Sequence, residues 1–293
     1  MKRILLLVLT NLAILVVLSI VAQLTGLDRW MAAQGSSLQG LLVFAALFGF
    51  SGSLISLAIS KWMAVRAMGV RIIQQPATAN EQWLVATVRS LADKAGIGMP
   101  EVGVFDSPQP NAFATGPRRN NALVAVSSGL LASMNRDEIE AVLGHELTHV
   151  ANGDMVTLTL IQGVVNTFVI FLSRIVGAIV DRSISRDSDG RGAGYFVSVL
   201  VSQIVLGILA TMIVMWFSRQ REFRADAGGA GLAGRNRMIA ALQRLKSAHD
   251  DPLPAHLNAF GISGGEGSGL RRLFLSHPPL EERIAALRAL PGN

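Results

Sequence analysis

The sequence has no cysteine among its 293 residues. Disulfides and thiolate ligands are excluded, so any bound metal must be held by histidine and carboxylate. Histidine is itself scarce, with five in the chain. Charge is thin as well: 16% of residues are charged against 51% hydrophobic, where a soluble domain carries roughly a quarter charged. That shortage points to the bilayer rather than to an ordinary soluble enzyme. No motif for nucleic acid is present, and the excess of six positive charges fits anchoring against anionic lipid.

Four long apolar runs account for the composition. Residues 4–22 and 38–59 contain no charge, and each is long enough to cross a hydrocarbon core of about 30 Å. The third, 155–180, holds Gln162, Asn166 and Arg174; an intramembrane Arg is costly, so Arg174 is expected near an interface. The fourth, 195–217, holds only Gln203. The first run follows Met1-Lys2-Arg3 as a signal peptide does. It lacks a small-x-small cleavage site, so a retained signal anchor is expected.

Lys2 and Arg3 precede the first run, Lys61, Arg66 and Arg71 follow the second, and Arg219, Arg221 and Arg224 follow the fourth. This distribution predicts a multi-pass protein with both termini and the large middle segment in the cytoplasm. The expected layout is a transmembrane hairpin over 1–60, a first soluble part over 61–154, a second hairpin over 155–217 and a second soluble part over 218–293. The fold class expected is an α-helical membrane protein with about four transmembrane helices and an α+β soluble domain.

Outside the membrane, 79–95 reads as a helix with Leu84, Val88 and Leu91 on one face. Strands are expected at 101–105, 112–115 and 122–126. They are separated by Ser107-Pro108-Gln109-Pro110 and by Gly116-Pro117-Arg118-Arg119-Asn120, both strong breakers. These predict a small antiparallel sheet. Helices are expected to end the chain at 235–246 and 280–290, on either side of a glycine-rich loop at 261–269.

The chemistry sits in His145-Glu146-Leu147-Thr148-His149. Asn135, with Glu138 three residues on, reads as a helix start, and Ile139, Val142, Leu143, Leu147 and Val150 follow at helical spacing. On that helix His145 and His149 share a face and can present two imidazoles to one ion. The pair suits zinc, and Glu146 beside it suits a general base on water. A catalytic zinc needs a third protein ligand. Glu222, in Arg221-Glu222-Phe223-Arg224-Ala225-Asp226, is the best carboxylate; the alternative is a surface charge cluster with Arg221 and Arg224. Two apolar runs separate His149 from Glu222, and an even number of crossings returns the chain to the same side.

The segments His145–Asp154, Arg221–Asp226 and Ser276-His277-Pro278-Pro279-Leu280-Glu281-Glu282-Arg283, with a hydrophobic hairpin between the first two, resemble the HtpX-type membrane zinc endopeptidases. That family lies in a wider group with the CAAX-prenyl-protein proteases, and the resemblance runs over nearly the whole chain. It implies a zincin-like catalytic domain, one zinc held by His145, His149 and Glu222, and Asp226 orienting a ligand imidazole. It implies that His277 works beside Glu146, as an oxyanion donor or as a latent occupant of the open metal position, with Arg283 assisting at the substrate. A helix-capping His before a proline turn is the alternative for His277.

Asn111, Ala112, Phe113 and Ala114 look like the family's edge strand for an extended substrate; an ordinary sheet edge guarded by prolines is the alternative. The implied function is cleavage of misfolded or surplus membrane proteins at the bacterial inner membrane, in protein quality control and stress response. The rival readings are a processing protease for lipid-modified peptides and a catalytically silent zinc-binding scaffold. An intact Glu146 argues against the scaffold.

Overall fold

The computed structural model describes residues 37–184, 193–247 and 273–291; the run at 4–22 and the glycine-rich stretch 261–269 lie outside the described residues. In chain order the elements are α1 (Leu38–Met68), β1 (Arg71–Ile72), α2 (Ala79–Ala95), β2 (Glu101–Phe105), β3 (Ala112–Arg118) and β4 (Asn121–Ser127). Then come α3 (Ser128–Ser133), α4 (Arg136–Asn152), α5 (Asp154–Ile184), α6 (Ala193–Ala233), α7 (Arg235–Ser247) and α8 (Leu280–Ala289). They divide into two compact units. One takes in residues up to Ser56 with Thr157–Val214; the other takes in Leu57–Val156 and the residues from Met215.

Among the described residues, the first unit holds most of α1, α5 and α6, three helices long and apolar enough to cross a membrane. Its outer surface is apolar: Phe196, Val197, Leu200, Ile204 and Ile208 of α6 are all exposed, as lipid-facing residues must be. Inside, α1 and α5 meet through small residues. A Cβ added at Gly49 would lie 2.4 Å from Thr167 Oγ1 and 2.9 Å from the Gly163 carbonyl oxygen, the close backbone approach that membrane helices use. The Arg174 guanidinium donates to the Ile170 carbonyl at 3.1 Å and lies 4.9 Å from the Phe44 ring centre, so its charge is partly satisfied by its own helix and a ring face.

The second unit holds a four-stranded sheet in the order β1-β2-β4-β3. The sheet is mixed, not antiparallel as expected: β1 pairs β2 and β3 pairs β4 antiparallel, but β2 and β4 run parallel. The reason is the path of the 106–111 connection. It carries the chain one strand position beyond β2, and the β3–β4 hairpin then folds back so that β4 fills the gap. Strand β3 therefore lies at the sheet edge, and it continues through the expected breaker to Arg118 with a bulge between Thr115 and Arg118. Gly116 allows this: at φ +148, a Cβ there would sit 2.3 Å from the Asn121 carbonyl oxygen. Pro117 is tolerated because an edge strand has no ladder partner for its missing N–H.

The core of this unit lies between the sheet and α2, α4, α7 and α8, with Leu84, Val88, Val124, Leu143, Leu147, Leu242 and Leu287 nearly or fully buried. Helix α2 starts on the Thr78–Glu81 capping box. Helix α4 starts on the Asn135–Glu138 box, where Asn135 Oδ1 accepts from the Glu138 amide at 2.9 Å and Glu138 Oε2 accepts from the Asn135 amide at 2.9 Å. It ends at Gly153, whose φ of +69 is the left-handed conformation that favours glycine.

Candidate metal centre

The paired histidines belong to α4, every residue of which from Ala141 to Val150 is buried. Across them runs the end of α6, and the two backbones cross closely. A Cβ on Gly229 would lie 2.9 Å from the His145 nitrogen, and one on Gly144 3.4 Å from the Gly229 carbonyl oxygen. This crossing sets Glu222 and Asp226, one turn apart on α6, directly against the imidazoles.

His145 Nε2 and His149 Nε2 lie 3.2 Å apart. Glu222 completes the triangle, with Oε2 3.4 Å from His145 Nε2 and Oε1 3.3 Å from His149 Nε2. Ligands about 2.0–2.2 Å from one tetrahedral ion stand roughly 3.3–3.5 Å from each other, so the three donors already have the spacing that such an ion imposes. All three side chains are buried.

His277, carried on the segment before α8, brings Nδ1 to 2.8 Å from Glu222 Oε2. Neither atom makes a hydrogen bond, so the pair is close without the alignment of one. Two buried polar atoms left in this state, beside two imidazole nitrogens in contact, call for a cation among them. The donor set, two nitrogens and a carboxylate with no sulfur, suits zinc or a similar divalent ion.

Behind the imidazoles stand further carboxylates. Asp226 Oδ1 lies 2.9 Å from His145 Nδ1, and Asp154 Oδ2 lies 2.7 Å from His149 Nδ1. Burial works against a charged imidazole at either position. Asp226 and Glu222 outweigh that cost at His145 and raise it, while Glu222 and Asp154 push His149 up to about 10. The pocket thus attracts positive charge, as a proton or as a metal. Glu146 is also buried, and burial raises its carboxyl above the usual carboxylate range although His145 and His149 pull the other way.

Arg283, expected at the substrate, is placed differently. It is fully buried, and Asp226 accepts from its Nε at 2.8 Å and its Nη2 at 2.6 Å. A buried carboxylate of this kind needs a fixed cation, and Arg283 supplies it. Three further residues support the site in ways the sequence does not signal. Asp154 follows a turn glycine and reads as the start of the next helix. Arg221 donates to the Asp154 carbonyl at 3.2 Å and to Ser218 Oγ at 3.0 Å. Arg219 donates to the carbonyls of Leu273 and Leu275 at 3.2 and 2.8 Å, tying the His277 segment to α6. Asn111, Ala112, Phe113 and Ala114 open or lie in the edge strand, all buried. Asn111 Oδ1 has no hydrogen-bond partner.

Peptidase family M48 matches residues 78–290, a span that includes every residue of the centre. The chain belongs to peptidase family M48. It is 64% identical over 290 residues to a Protease HtpX homolog of Thiobacillus denitrificans, covering 99% of this chain and 100% of that protein. To Protease HtpX of Thioalkalivibrio sulfidiphilus it is 62% identical over 293 residues, covering 99% of each. Among solved structures, the crystal structure of S. mikatae Ste24p shares the fold with a TM-score of 0.52 at 20% identity, covering 94% of this chain and 67% of that one. With three helices among the described residues long and apolar enough to cross a membrane, this M48 member is a multi-pass membrane metallopeptidase of the HtpX kind.

Proposed function

We propose that the chain is a zinc-dependent endopeptidase that cuts misfolded or surplus membrane proteins on the cytoplasmic side of the inner membrane, as part of stress-related quality control. In this reading both termini and the catalytic unit are cytoplasmic and unfolded membrane-protein segments are the partners. The observation that carries it is the convergence of His145, His149 and Glu222 on one point, with the buried Glu146 on the same helix.

His145, His149 and Glu222 would hold one zinc per chain. When bound, that ion supplies a Lewis acid for the scissile carbonyl and lowers the pKa of water beside it. Glu146 accepts the water's proton and delivers it to the leaving amine nitrogen. Its buried setting disfavours the bare carboxylate, which sharpens its appetite for that proton. Asp226 keeps His145 in the tautomer that presents Nε2, and Arg283 keeps Asp226 charged. His277 is the remaining side-chain donor for the developing oxyanion. The outer edge of β3 would offer backbone groups to an extended peptide.

The test is full-length wild type against Glu146→Gln on a membrane-protein substrate, with a chelator control. Loss of a general base costs about 10²–10⁴-fold in turnover, and the variant should still bind one zinc per chain. Cleavage that survives Glu146→Gln, or that ignores the chelator, would sink the mechanism.

A further inference from the structure

The proposed site leaves one imidazole with no assigned support. Asp226 stands behind His145, but nothing so far has been given the same task at His149. An imidazole that ligates through Nε2 must carry its hydrogen on Nδ1, and a buried N–H without an acceptor destabilises the arrangement. Asp154 Oδ2 is 2.7 Å from His149 Nδ1, with the two side chains only 8% and 5% exposed.

We propose that Asp154 is a positioning residue for the metal centre, which fixes the ring plane and tautomer of His149; this rests on the zinc reading above. Three features hold Asp154 in place. Gly153, at φ +69, turns the chain so that the residue after it lies beneath His149. As the first residue of α5, Asp154 has its carboxylate at a helix N-terminus, where negative charge is stabilised. Arg221 grips its carbonyl oxygen from α6 and is itself fixed by Ser218.

The result is a paired support. His145 is steadied by a carboxylate from α6, and His149 by one from α5. Both helices of the second apolar hairpin therefore contribute a carboxylate behind the centre, although only α6 contributes a ligand. Asp154 touches neither the peptide nor the reacting atoms on this geometry, so its loss acts on the metal first.

The experiment uses the full chain, purified in detergent, stripped of metal and titrated with zinc against a competing chelator. Asp154→Asn should weaken zinc binding about 10–100-fold and lower kcat with KM little changed. The visible spectrum of the cobalt-loaded variant should also change, because a re-oriented imidazole alters the ligand field. Asp154→Glu, which keeps the carboxylate one methylene away, should bind zinc with intermediate strength, and it carries the test if the Asn variant does not fold. Zinc affinity of both variants within about twofold of wild type overturns the proposal, since a supporting partner accounts for at least tenfold. His149→Ala is run alongside. If it also binds zinc as wild type does, the metal-site reading itself fails; if it loses zinc while Asp154→Asn keeps it, only the role of Asp154 fails.

Discussion

Arg283 carries a full charge with no exposed surface, and Asp226 is its counter-charge at two contacts. Removing one partner of such a pair strands the other, at a cost of roughly 3–5 kcal/mol. Arg283→Met is therefore expected to melt well below wild type. Arg283→Met combined with Asp226→Asn should recover much of that loss while still binding zinc poorly, because His145 has lost its oriented acceptor; thermal melts with and without zinc read both effects.

His149 makes a second prediction at this scale, for the metal-free protein. Its folded pKa of about 10 lies above the ordinary 6.5. Its charge therefore adds stability that is complete below pH 6.5 and is lost as pH rises through about 10. The melting temperature of metal-stripped protein should fall across that window. The rise on adding zinc should grow across it, since the ion replaces the departing proton. A zinc-dependent rise that shrinks with pH would contradict the assignment. The ligand pair was legible because both histidines ride on one helix, where spacing alone determines which residues share a face. Arg283 was not: its partner is far away in the sequence, and only the packing of α8 against the site brings them together.

At the scale of elements, the centre depends on how closely α4 and α6 cross. A Cβ at Gly229 would meet backbone atoms of His145, at 2.9 and 3.1 Å, and backbone cannot swing aside as a side chain can. Gly229→Val should push α6 away, separate Glu222 from the histidines and reduce bound zinc well below one per chain, measured by elemental analysis of folded, monodisperse protein. Gly231→Ala on the same helix, where an added Cβ meets nothing, should bind zinc normally.

Elements with a local signature were readable in advance: α4 by its capping box, α2 by Leu84, Val88 and Leu91 on one face, and β2 by the Ser107–Pro110 breaker that ends it. Pairing was not. The parallel alignment of β2 with β4 depends on where the 106–111 connection crosses, which no local pattern encodes. The two-residue β1 is too short for any periodicity. Strand β3 outran its expected end because a glycine that breaks an isolated strand permits close approach when a neighbour is already there.

For the whole molecule, a metal held by His145, His149 and Glu222 would add a further link between segments already joined by packing and by the Asp226–His145 and Arg221–Asp154 contacts. Ligand binding stabilises by an amount that grows with the logarithm of free ion over Kd, about 2.7 kcal/mol at a hundredfold excess. Chelation should therefore lower the melting temperature of the catalytic unit, and zinc should restore it, while Glu146→Gln should behave as wild type in both respects. If Glu146→Gln alone abolished the zinc effect, Glu146 would be a ligand rather than the base.

The order of the ligands along the chain has one more consequence. His145 and His149 are made before the second apolar hairpin, whereas Glu222, Asp226, His277 and Arg283 are made after it. A nascent chain halted inside that hairpin holds two histidines and no third ligand, so it can neither grip the ion firmly nor present it to a peptide. Completion of the centre thus waits on synthesis through the hairpin that separates its donors.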